Sequence, residues 1–93
     1  MRLVVIAVGR LSKLHGINEA EAAVVVRDEF QRQGIGTELY RRLIQVARAE
    51  HLDRVVSTML AENREMRAVC QKLGFRLQAD MEDQTLRAEL QVQ

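Results

Sequence analysis

Proline and tryptophan are absent from this sequence, cysteine occurs once, histidine twice, and the aromatic side chains are one tyrosine and two phenylalanines. The lack of proline excludes nothing in so short a chain. The lone Cys70 excludes an internal disulfide, and with two distant histidines it makes no metal-ligand cluster, so a reducing cytoplasm is the expected setting and no metal is expected. With so few aromatics, a core must be built mainly from Val, Leu, Ile, Ala and Met. A chain of 93 residues buries roughly 60 to 68% of its unfolded surface. Excess charge is lacking too: 14 basic against 13 acidic residues leave +1. That is far from the basic footprint of a protein that lives on phosphate backbones, so nucleic acid is not an expected partner. The one early apolar run, Leu3 to Val8, is shorter than a signal-peptide core and no small-residue cleavage site follows it, so no membrane association is expected. Repeats, low-complexity tracts and linkers are missing as well, which leaves one domain spanning 1–93.

What is present alternates between strand-like and helix-like patterns. Leu3 to Val8 reads as a buried strand, and "SKLHGIN" supplies turn-forming residues leading into a second strand, about Glu21 to Arg27. That strand ends in Val24-Val25-Val26, the mark of a strand covered on both faces. From Glu38 to Glu50 the apolar residues Leu39, Tyr40, Leu43, Ile44, Val46 and Ala47 fall at helical spacing. "RVVSTML" reads as a third strand, reached through a helical crossover and hence parallel to the second. Asn63 then caps a second helix carrying a stripe of Met66, Val69, Cys70 and Leu73, and Gly74 ends it. Phe75 to Ala79 and Thr85 to Val92 complete an antiparallel pair. The fold class is α/β, with a mixed sheet and the order β-β-α-β-α-β-β.

Between the second strand and the first helix lies "QRQGIGT", Gln31 to Thr37. A helix start leaves backbone N–H groups unpartnered and carries a partial positive charge, so it attracts anions. Glycines at 34 and 36 would let a bulky anionic group approach the backbone. The segment is not a P-loop, because no Gly-Lys-Ser/Thr follows, and it is not the dinucleotide fingerprint, because the third glycine is missing.

What remains, Gln31-x-x-Gly34-x-Gly36, resembles the pyrophosphate-binding motif of the GNAT superfamily of acyl-CoA-dependent N-acyltransferases. "VVVRDEF" before it and "AENREMRAVCQKLGF" after it, with Gly-Phe eleven residues beyond Asn63, strengthen the likeness, which runs from about Gly9 to Leu77. Within the superfamily the chain looks most like the acetyltransferase domain of bacterial protein-lysine acetyltransferases. The resemblance implies acetyl-CoA as cofactor. Val24, Val25 and Val26 would run beside its pantetheine arm. Backbone N–H groups of Arg32, Gln33, Gly34, Ile35, Gly36 and Thr37 would hold the pyrophosphate, and Asn63 would hydrogen-bond the cofactor. The three valines would be core in any α/β protein, and Asn63 is an N-cap with or without cofactor.

A lysine amine with pKa about 10.4 is neutral in only about one molecule in 2,500 at pH 7, so transfer to it benefits from a base. Glu21 matches the position where some protein-acetylating members carry a glutamate base, and burial among Ala22, Ala23 and the valines would raise its pKa toward the working range. The alternative is an ordinary strand-end carboxylate. Many members carry a tyrosine as proton donor seven residues after the asparagine; here that position is Cys70, either a thiol donor or a small core residue. Tyr40, His15 and His51 read as structural. Family domains usually begin with a further strand and a helix pair that form much of the acceptor floor, so this chain resembles the cofactor-binding half, and an unpaired first strand would favour a homodimer. Three readings stand: an acetyl-CoA-dependent N-acetyltransferase acting by direct amine attack in a ternary complex, a non-catalytic acyl-CoA-binding module, and a ligand-free α/β interaction protein.

Overall fold

A computed structural model describes residues 5–93. Within them the element order is β1 (Ala7–Lys13), β2 (Glu19–Val26), a single 3-10 turn (Asp28–Phe30), α1 (Ile35–Ala49), β3 (Arg54–Leu60), α2 (Arg64–Lys72), β4 (Arg76–Asp80) and β5 (Thr85–Gln91). The order of elements matches the sequence pattern. The first strand does not sit where the apolar run suggested: Leu3 and Val4 lie outside the described residues, and β1 runs on through Lys13. Pairing with β2 in register Ala7↔Val26 to Lys13↔Ala20 extends the hairpin into the stretch read as turn, because Ser12 and Lys13 find ladder partners in Glu21 and Ala20.

The five strands form one mixed sheet ordered β1-β2-β3-β5-β4. Only β2 and β3 are parallel, and they pair over just three positions, Glu19↔Arg54, Ala20↔Val55 and Glu21↔Val56. Beyond Glu21 the two strands part, while β3 stays zipped to β5 along its whole length from Arg54↔Gln91 to Leu60↔Thr85.

Both helices cover the same face of the sheet. Alternation along β2 sends Ala20, Ala22, Val24 and Val26 into a core shared with Tyr40, Ile44 and Ala47 of α1 and Cys70 of α2. Among the described residues no helix covers the opposite face, where Val56 alone is buried and the rest is half-buried or bare. Val25, expected to be covered, is therefore 68% exposed beside Val8, its partner across the hairpin. The triple-valine run is a one-sided strand whose outward position happens to be apolar. Near the base of the seam that bare face carries an ion-pair chain: Arg54 reaches Glu19 at 2.7 Å and Glu89 at 3.0 Å, with Arg87 at 3.6 Å from Glu89.

Helix ends follow local chemistry. Asn63 Oδ1 accepts from Met66 N at 3.1 Å, capping α2 as its side chain dictates. Gly74, at φ +91°, lets the chain turn back, so that Gly74 N donates to Gln71 O and Phe75 N to Cys70 O, closing the exposed carbonyls. Phe75 thereby meets Tyr40 edge to face, with ring centroids 5.7 Å apart.

Under the point where β2 and β3 part, Ser57 Oγ donates to Ala22 O at 2.7 Å, and the Tyr40 hydroxyl lies 2.7 Å from the same Ser57 oxygen. A carbonyl that β3 no longer satisfies is thus satisfied by a serine side chain, which Tyr40 supports in turn. Burial pushes the Tyr40 phenol up to about 12, the bond to Ser57 working the other way. Because the folded value lies above the ordinary one near 10, the stability this imparts is complete below pH 10 and is lost as pH rises through 12. Tyr40 is the only tyrosine and there is no tryptophan, so a phenolate absorbance titration reads it alone. The expected midpoint is near 12, coinciding with alkaline unfolding, whereas a midpoint near 10 in folded protein would show the hydroxyl to be solvated.

Candidate functional site

The end of β2 that has left β3, the loop after it, the first turn of α1 and one side of α2 border an open cavity of about 620 Å³. Its three walls arise from three local facts of sequence.

The first wall is the free edge of β2. Ala22 O and Val26 O both point toward the gap, one taken by Ser57 and the other by Gln31 Nε2 at 3.2 Å. Strand backbone groups alternate sides, so Val24, midway between them, turns its own N–H and C=O the same way. Those two groups are a short length of unused strand edge facing the cavity, suited to an extended ligand with amide groups.

The second wall is the loop. Gln31 uses its side-chain amide to bind both Val26 O and Asp28 Oδ1, at 3.2 Å each, which folds the loop back onto the strand end. Arg32 at φ +65° and Gly34 at φ +81° are both left-handed, which for Gly34 costs little and for Arg32 is sustained by its surroundings. Gly34 is the N-cap of α1 and so brings no capping side chain. The helix starts at Ile35, three residues before the Glu38 expected from periodicity, with Glu38 N bonding Gly34 O at 3.0 Å as its first α-type bond. Consequently the N–H groups of Ile35, Gly36 and Thr37 have no intrahelical partner. A Ser, Thr or Asp at the cap would have consumed one of them. A Cβ on Gly36 would meet Met66 and Val26 only at 3.6 and 3.8 Å, ordinary contact distances. Nothing within the chain demands glycine there, and the space it leaves open adjoins the cavity.

The third wall is α2, whose Glu65, Met66, Ala68, Val69 and Lys72 recur at helical spacing along one side. Asn63 lines the cavity while its Oδ1 is engaged as cap, and its Nδ2 makes no hydrogen bond among the described residues. Arg32, Arg64 and Lys72 also line it, and among the described residues none of the three forms an ion pair. Against them stands one lining carboxylate, Glu65. An apolar channel with free strand amides at one end and N–H groups with surplus positive charge at the other fits a long ligand with an anionic head.

Of the residues proposed from sequence to hold a cofactor, Val24, Val25, Val26, Arg32, Gly34, Gly36, Thr37 and Asn63 border this cavity. Gln33 is exposed away from it, and Ile35 turns its side chain into the core. Neither candidate for proton transfer borders it. Cys70 has no exposed surface and lies against Tyr40 in the core, where burial pushes its thiol up. A proton donor at the cavity it is not, because the helix stripe read as continuous divides: Cys70 turns inward and Met66 and Val69 face the ligand space. Glu21 lies on the bare face of β2, exposed, without the burial expected of it; Ala22 and Val24 take the inward positions. Phe30, Arg64, Glu65, Met66, Ala68, Val69 and Lys72 were not anticipated as lining. Their signal was available for α2, since 65, 69 and 72 share a helix face beside the Asn63 cap.

The family model of the acetyltransferase (GNAT) domain matches residues 3–76 of this chain. The chain belongs to the GNAT acetyltransferase family. A curated relative, acetyltransferase PA5475 of Pseudomonas aeruginosa, is 40% identical over 67 residues, covering 72% of this chain and 36% of that protein. The chain thus spans little more than a third of that relative. Among solved structures, the acetyltransferase yncA of Salmonella typhimurium, crystallised with acetyl-CoA, superposes with a TM-score of 0.83 at 21% identity, over 97% of this chain and 60% of its own. A cAMP-binding acyltransferase of Mycobacterium smegmatis gives a TM-score of 0.79 at 29% identity, over 95% of this chain and 27% of its own. The mixed sheet and the two helices on one face are therefore those of the GNAT fold.

Proposed function

We propose that this GNAT domain binds acetyl-CoA in the cavity between β2, the glycine loop and α2, and transfers the acetyl group to a primary amine, with protein lysine as the acceptor class. The observation that carries this reading is the joining, in one cavity, of the unused Val24 strand edge to the uncapped start of α1. The first suits the amides of a pantetheine arm and the second its pyrophosphate. Arg32, Arg64 and Lys72 supply the countercharge that so anionic a ligand requires. When bound, acetyl-CoA would supply an activated acyl carbon: the neutral amine nitrogen forms the new C–N bond, the C–S bond breaks, and the proton that the nitrogen then sheds passes through solvent to the departing thiolate, which leaves as the CoA thiol. An acceptor approaching on the bare face would meet Glu21 on β2. In this reading Glu21 takes a proton from the acceptor ammonium, leaving the neutral amine that attacks, and is exposed as an acceptor-side base must be. The bare face, with Val8 and Val25 exposed along the edge hairpin, is also where a second copy would dock, making the working form a homodimer. The buried thiol suits a reducing cytoplasm.

A second reading has its own support. Neither Cys70 nor Glu21 borders the cavity, which is what a non-catalytic acyl-CoA-binding module would have. Turnover distinguishes the two.

Calorimetric titration with CoA and acetyl-CoA is expected to give saturable 1:1 binding by the wild-type chain and none by Gly34→Glu, which puts a carboxylate into the loop. Absence of binding by the wild-type chain would end the reading. With a lysine peptide as acceptor, Glu21→Gln is expected to lower kcat by about 10² or more and leave KM for acetyl-CoA unchanged; an unaltered kcat would remove Glu21 from the reaction. In sedimentation at micromolar concentration a dimer is expected, and Val25→Lys should yield monomer; a wild-type monomer would refute the assembly.

A further inference from the structure

The anion-attracting loop already holds an anion of the chain's own. The backbone N–H of Arg32, held at φ +65°, donates to Glu65 Oε1 across the cavity mouth. Glu65 stands in the first turn of α2, where a carboxylate is favoured by that helix's own N-terminal field. It is the one acidic side chain lining a cavity otherwise ringed by Arg32, Arg64 and Lys72. Elsewhere in the chain, first-turn acid serves differently: Glu38 of α1 pairs with Arg42 on its own helix at 3.1 Å. Glu65 instead spans from one helix start to the loop that begins the other.

We infer that Glu65 is a built-in stand-in for the phosphate group of the ligand, and that cofactor binding requires its carboxylate to leave the Arg32 N–H. This rests on the reading of the cavity as the CoA site. The argument is one of competition. A carboxylate and a phosphate oxygen want the same donor, and a charge-assisted bond to a backbone N–H is among the stronger polar contacts. Both anions in one loop would also repel at short range. Glu65 therefore orders the left-handed Arg32 in the free chain and charges the ligand for displacing it, setting affinity lower than the loop alone would give. The contact that holds the site in shape before binding is the one that opposes binding.

Calorimetric titration with CoA of the wild-type chain, Glu65→Gln, Glu65→Ala and Glu62→Gln tests this. Glu62 is exposed, makes no side-chain hydrogen bond among the described residues and does not line the cavity, so its substitution changes net charge equally without touching the loop. Glu65→Ala is expected to bind CoA about tenfold more tightly than wild type, or about 1.4 kcal/mol, with Glu65→Gln between them and Glu62→Gln unchanged. Equal or weaker binding by both Glu65 variants, with wild-type binding intact, overturns the inference and leaves the CoA site standing. An equal gain in Glu62→Gln also overturns it, reducing the effect to net charge. If no chain binds CoA, the site reading fails and this inference fails with it. Glu65 is half-buried at a helix start, and the thermal transition of each variant, measured alongside, is expected to stay single and cooperative.

Discussion

Everything distinctive in this molecule depends on the bond from Ser57 Oγ to Ala22 O at 2.7 Å. A sheet gains by continuing its ladder, and two parallel strands separated after three pairs forfeit backbone bonds that a buried interior penalises heavily. The serine hydroxyl meets that penalty at the branching point, and Tyr40 anchors the serine from below. Just beneath, Glu19 and Arg54 clamp the start of the seam on the other face. Between clamp and branch the strands hold together; beyond the branch they diverge, and the β2 edge so released is one wall of the cavity.

The electrostatics of the cavity follow from what its loop omits. Gly34 occupies a position where most helices set a side-chain oxygen, and the omission leaves donors pointing outward at the positive end of α1. Arg32, Arg64 and Lys72, without ion pairs among the described residues, add formal charge around these donors. Glu65 moderates the field from inside the site. The same helix start thus carries an attraction supplied by backbone and an opposition supplied by one side chain, two contributions that substitution can vary separately.

Much of this was legible before any coordinates. The β3 limits, the Asn63 cap and the Gly74 stop follow from apolar runs and capping chemistry that act locally, and the glycine loop declared itself by failing to be a P-loop or a dinucleotide fingerprint. The misreadings share a physical origin in tertiary facts. Val25 looked buried because a strand reading cannot count how many faces have a helix to cover them. Cys70 looked available because a helical stripe spans a wide arc, and only the crossing of α1 and α2 decides which part meets Tyr40 and which part meets open space. The first strand was ended too early, at Val8, because apolar content was weighed over ladder partners, which Ser12 and Lys13 have and the sequence does not announce. Glu65 had no local signature beyond a favourable helix position, since its partner Arg32 is 33 residues away.

The narrow parallel seam also has a mechanical meaning. The sheet joins the hairpin β1–β2 to the β3–β5–β4 ribbon along only three strand pairs, so above them the two halves are held by side chains, Tyr40 against Phe75 and Ser57, and Ser57 against Ala22, in place of ladder bonds. On the proposed function, a ligand along the Val24 edge would take the place of part of the missing ladder, acting as a sixth strand made of something other than protein. On that same reading, occupancy would then add backbone-like bonds where the sheet itself has none, and so stabilise the folded chain by mass action.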